Sequence, residues 1–344
     1  MNASIQEPAA MQPRAATTEA FGFGSKFKLL LRREFWENKG GFFWAPVITG
    51  IIASAFALIA LIMATVFIQK AKQNGDFQDH FKLDDVDGLK AFGVFGDGIL
   101  ANGMGLSMLV MIFVVFFYAL GSLYDERRDR SVLFWKSLPI SDTEVVLSKL
   151  AWALVLAPVM ALIIGIFIGL GMWLIAAAGM AANGIPGMSA FFTESHPFRT
   201  VWQFFSILPV YIMWSVPTVG WLMLCSAWSR RFPFLWAVLV PLLGCAMISM
   251  TGGIFSAITG TDFPHGEIWY VVAMRGLGSL VPFLWYASAV DAETVLKGTE
   301  GVSAQLDLSS SWAAFGTLDM WLGVAAGAAM IFLAIRLRRW RDEG

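Results

Sequence analysis

The sequence predicts an all-α protein that crosses a membrane six times, with both termini on the cytoplasmic side. Three observations lead there. Of the 344 residues, 57% are hydrophobic and 14% charged, with a mean hydropathy of +0.66; a soluble globular domain carries about 25% charged residues. Apolar runs recur at about 43–68, 100–123, 150–177, 202–228, 233–257 and 316–337, and roughly 20 such residues cross the hydrocarbon of a bilayer. When these runs are threaded back and forth, 17 of the 24 Lys and Arg residues collect on one side. Short cytoplasmic loops carry that excess. The net charge of −1 says nothing about nucleic acid, and no nucleic-acid partner is expected.

Residues 1–24 are rich in Ala, Pro and Thr. They lack the basic start and apolar core of a cleavable signal, and read as a flexible cytoplasmic tail. Residues 25–41 read as an amphipathic helix lying along the cytoplasmic leaflet. Phe27, Leu30, Leu31 and Phe35 share a face, and Lys28, Arg32 and Glu37 fall elsewhere. Ser25 is the expected N-cap, and Gly40 with Gly41 the expected stop.

The membrane-spanning domain is expected over 43–337. Between its first two spans lies an acidic outer loop with Asp76, Asp79, Asp84, Asp85, Asp87 and Asp97. Two pairs of glycines four apart, Gly165 with Gly169 and Gly323 with Gly327, are candidates for close helix packing. Pro209, Pro217 and Pro241 are expected to bend their helices. Within the outer loop 258–315, the stretch 268–290 is apolar enough to span, with Arg275 as its one charge. A seventh span would carry Arg336, Arg338, Arg339 and Arg341 outward, so the stretch reads as re-entrant or interfacial helices before the last span. Residues 338–344 read as a cytoplasmic tail.

Several chemistries are unsupported. The sequence holds no GxxxxGK[ST], no GxSxG and no HExxH, and His80, His196 and His265 are scattered through outer loops. No catalytic residue, metal site or cofactor of the chain's own is expected. Cys225 and Cys245 lie within apolar runs and read as packing residues. Arg275 and Asp319 stand in apolar sequence, so each is either a group with a pathway or gating role, or a hydrated charge at the membrane surface.

The densest charge lies between the second and third spans. Residues 98–124 carry no charge, and none occurs from 150 to 193, yet 125–149 holds DERRDRSVLFWKSLPIS followed by Val145, Leu147 and Lys149. This segment resembles the signature of ABC-2 type transporter permeases: an acidic-basic start, a small hydroxyl residue, apolar residues, a Leu-Pro-Ile-Ser step and a Lys opening the next span. Arg130 stands where that family usually has Gly, and Ser148 where Gly often precedes the Lys.

The resemblance implies the transmembrane subunit of an ATP-binding cassette exporter in a bacterial cytoplasmic membrane. Two copies of a separate cytoplasmic ATPase would bind ATP and Mg, and a second permease subunit, identical or not, would complete the assembly within the membrane lipids. The loop 125–149 would be the coupling element. There Glu126, Arg127 and Arg128 would supply charge complementarity, Phe134, Trp135 and Leu138 apolar anchors, and Pro139 the end of a short helix. The cargo would be a lipid, a peptide or a hydrophobic small molecule. A membrane anchor or sensor that recruits an ATPase without transport is the alternative. A membrane-embedded enzyme would need polar groups facing one another at one depth, and the spans offer almost none.

Overall fold

A computed structural model describes residues 23–74, 86–130, 140–185, 188–286 and 308–341. Among these residues there is no strand, and six helices are long and apolar enough to cross a membrane. They fall in the six regions expected.

The first runs from α1 (Phe23–Lys39) through a wide π turn at Gly40–Trp44 into α2 (Ala45–Gln73). Neither sequence signal for the ends of α1 holds. The helix already includes Phe23, so Ser25 is inside it, and Gly40 and Gly41 continue the winding. The chain turns instead where Asn38 leaves helical geometry (φ −111°, ψ 15°). Gly41 serves a close approach: a Cβ there would run into the Val114 side chain.

Three π turns share a cause. Gly40–Trp44, Trp152–Leu156 and Leu235–Leu239 each end two residues before a proline, Pro46, Pro158 and Pro241. Proline donates no hydrogen bond, and its ring crowds the carbonyl four residues back. A widened turn accommodates both. At Pro241 that carbonyl belongs to Ala237, and it accepts instead from the Trp221 indole N–H at 2.9 Å.

The second span, α3 (Val86–Gly121), is followed by the short α4 (Tyr124–Arg128). The chain resumes in α5 (Asp142–Ala151), which continues through the second π turn into α6 (Ala157–Asn183). A short α7 (Met188–Thr193) precedes α8 (Pro197–Trp228), which holds Pro209 and Pro217 in its interior. The fifth span follows the third π turn as α9 (Val240–Thr259). Next come α10 (His265–Trp269), a π turn at Tyr270–Leu277, α11 (Leu308–Ala313) and the last span, α12 (Leu318–Arg341). Because α12 reaches Arg341, Arg338 belongs to a helix and is buried, although the sequence placed it in a tail.

Span α8 is the centre of the bundle, packed by α3, α6 and α12. The span containing α2 lies outermost: none of its most apolar window is buried within the chain. Small residues set the closest contacts. Gly103 and Met104 of α3 back onto Gly165 and Gly169 of α6, and Ser107 Oγ donates to Ala161 O at 2.7 Å. Gly220 of α8 meets Gly327 of α12, which also faces Val216 and Pro217. Both glycine pairs noted in the sequence therefore pack within the chain. Lipid tails offer helices no hydrophobic drive to associate, so such close fits and buried hydrogen bonds carry the packing.

Candidate functional site

Among the described residues, two clusters of buried charge lie toward opposite ends of the bundle. The first joins the described ends of the chain. Glu34, on the buried face of α1, is fully enclosed, and Lys149 of α5 is 3% exposed. Lys149 Nζ lies 2.8 Å from Glu34 Oε1 and 3.1 Å from Glu126 Oε1. Glu126 also receives Arg338 Nη1 at 2.6 Å on its other oxygen. Arg338 Nε reaches Asp142 Oδ1 at 3.0 Å, Arg33 Nη2 approaches Glu126 at 3.5 Å, and Tyr118 Oη donates to Glu34 Oε2 at 2.8 Å.

Among the buried groups Glu34 and Glu126 balance Lys149 and Arg338, while the part-exposed Arg33 is shared between Glu126 and Glu37. That balance is what permits the burial, since an unpaired charge in a dry interior is costly. The cluster joins α1, α4, α5 and α12, and aromatic rings pack beside it, with Phe42 against Tyr118. Trp152 stacks on Phe42 and Phe35, and its indole N–H donates to Leu31 O at 2.8 Å.

The same cluster holds both stems of the charged loop. On the outgoing stem, Ser226 Oγ accepts from the Leu123 and Tyr124 amides at 3.0 and 2.9 Å. The Arg127 guanidinium donates to the Ser226 and Ser229 carbonyls, closing the C-terminal end of α8. On the returning stem, Ser141 and Glu144 form a reciprocal cap that starts α5. The serine of the Leu-Pro-Ile-Ser step is therefore a helix start.

Of the three charged residues expected on a partner surface, Glu126 and Arg127 face inward onto partners within the chain. Arg128 is exposed, with Asp125 and Asp129 beside it. Phe134, Trp135, Leu138 and Pro139 lie outside the described residues. Arg130 takes a left-handed backbone (φ 56°), a region that favours glycine.

The second cluster surrounds Arg275, which is 5% exposed in the π turn. Its Nη1 donates to Trp214 O at 2.8 Å and Ser279 Oγ at 3.1 Å. Its Nη2 reaches Asp319 O at 3.2 Å and Met320 O at 3.4 Å, and Nε lies 3.5 Å from the Asp319 carboxylate. The guanidinium also covers the Trp214 ring, 3.7 Å from its centroid. Tyr270 Oη donates to Asp319 Oδ2 at 2.7 Å. The guanidinium lies against Gly323, where any side chain would displace it. Arg275 and Asp319 thus meet, and they tie residues 270–279 to the middle of α8 and the start of α12.

Glu34, Tyr118, Asp142 and Arg338 escaped sequence reasoning. One signal was present, a glutamate within the apolar stripe of an amphipathic helix. Among the described residues, no three His, Cys, Asp or Glu side chains gather to hold a metal. No family model, curated protein or solved structure matches the chain.

Proposed function

We propose that this chain is the permease subunit of an ATP-binding cassette exporter of the ABC-2 type, driven by a separate ATPase docked on residues 125–149. One observation carries the reading. Both stems of that loop are clamped, through Glu126, Arg127 and Lys149, to the first helix, the central span and the last span. A loop so anchored passes a push from outside into the bundle, where a floppy loop would absorb it. The left-handed backbone at Arg130, in the position where that family usually carries Gly, adds support.

In this reading the end where the described ends of the chain meet faces the cytoplasm of a bacterial cell. Two ATPase subunits bind there, and a second permease subunit sits beside this one. A cavity of about 230 Å³ between α3, α6 and α8, lined by Met108, Ile112, Leu162, Phe204, Tyr211 and Phe283, is apolar enough for a hydrophobic cargo or a lipid chain.

The test is isolation of the tagged chain from its native membrane in mild detergent, with measurement of co-purifying ATPase activity. Wild type should bring down vanadate-sensitive hydrolysis. Arg128→Glu combined with Trp135→Ala should lose it while the chain keeps its unfolding temperature. Hydrolysis that survives both changes, or is absent with wild type, overturns the reading.

A further inference from the structure

The face of α1 turned away from the ion cluster carries a different surface. Ser25, Lys28, Leu29, Arg32, Trp36 and Lys39 are exposed in a strip with helical spacing. Lys28 and Arg32 form no ion pair among the described residues, whereas Arg33 one step around is held by Glu37 and Glu126. Beside these cations runs a groove of about 520 Å³ whose floor is Leu31, Phe35 and Trp152. Leu29 and Trp36 are 58% and 56% exposed, and Lys39 lies 5.3 Å over the Trp36 ring.

Large apolar residues beside unpaired cations at the end of a span mark the boundary between hydrocarbon and head groups. The helix cannot roll to hide this strip, because Glu34 and Arg33 fix its opposite face to α4 and α5. A small anion would leave the groove empty, and an uncharged lipid would leave the two cations unmatched.

We propose that this groove binds an anionic phospholipid. One acyl chain lies against Leu31, Phe35 and Trp152, and the phosphate is held by Lys28 and Arg32. The occupant is committed by charge complementarity at the rim and apolar chemistry at the floor.

Native mass spectrometry of the purified chain, released from a neutral detergent, tests the site. Added phosphatidylglycerol should remain bound where phosphatidylcholine with the same acyl chains does not. Lys28→Gln with Arg32→Gln should weaken that retention by roughly 30-fold, taking about 1 kcal/mol for each basic residue. Arg199→Gln, an exposed change at the start of α8, should leave it unaltered. If the double variant fails to fold, each single variant should show a smaller loss of the same sign. Inorganic phosphate or dihexanoyl phosphatidylglycerol binding as well as the long-chain lipid would overturn the groove assignment. So would equal retention of both long-chain lipids, or a double variant that loses a second protein chain while keeping the lipid.

Discussion

Glu126 holds two buried cations at once, Lys149 and Arg338. Removing its charge leaves both without full compensation in a dry setting, and breaking such a pair costs about 3–5 kcal/mol. Glu126→Gln should therefore lower the unfolding temperature in detergent sharply, and Arg128→Gln, two residues on and exposed, should leave it nearly unchanged. Equal effects would show that Glu126 is solvated. Arg130 makes the opposite case. Its left-handed backbone costs an L-residue about 1–2 kcal/mol, a cost glycine escapes. Arg130→Gly should stabilise the chain by about 1 kcal/mol after the added chain entropy is counted, and a destabilised variant would refute the strain. Gly323 is defined by what fills its missing side chain. Gly323→Ala should push the Arg275 guanidinium off the Asp319 and Met320 carbonyls, a penalty that shrinks when Arg275 is already Met.

At the scale of elements, prolines shape the helices by widening a turn, and the freed carbonyl needs a donor. The Trp221 indole supplies one at Ala237. Trp221→Phe should cost about 1–3 kcal/mol by stranding that carbonyl. In a Pro241→Ala background the new amide can bond to Ala237, so the cost of the same change should fall. Thermal unfolding of the four-member cycle measures the difference, and additivity would remove the indole from this role. The packing of α3 on α6 has a matched pair of its own. Gly103→Ala drives a methyl into the Gly169 backbone and should cost about 1–3 kcal/mol. Gly98→Ala, in the same helix with open space around it, should be tolerated.

For the whole molecule, the ion cluster brings Glu34 and Arg338 together, so the described ends of the chain lie at one end of the bundle. Asp262, after α9, lies at the other. Since Cys225 and Cys245 are buried, single Lys39→Cys, Arg339→Cys and Asp262→Cys changes can be read against a quiet background. The first two should react with an impermeant thiol reagent from one face of sealed vesicles, and the third from the opposite face only. Labelling of all three from one face would break the topology.

How much of this was legible beforehand follows from the range of each interaction. Apolar runs and the uneven placement of Lys and Arg are local properties, read without knowing any contact, and they determined a six-span helical protein. Arg275 and Asp319 stood out for the same reason, as charges in apolar sequence. Helix ends near Ser25 and Gly40 were misjudged because a π turn and a close approach to Val114 outweighed cap signals. The pairing of charges was out of reach. Lys149 meets Glu34 across 115 positions and Arg338 meets Glu126 across 212, and nothing local says which carboxylate a lysine will find. The sequence by itself thus determined the membrane class, the number of spans and the charged loop between the second and third. Only the tertiary structure decided that Glu126 and Arg127 turn inward, because burial and partner choice depend on which helices pack together.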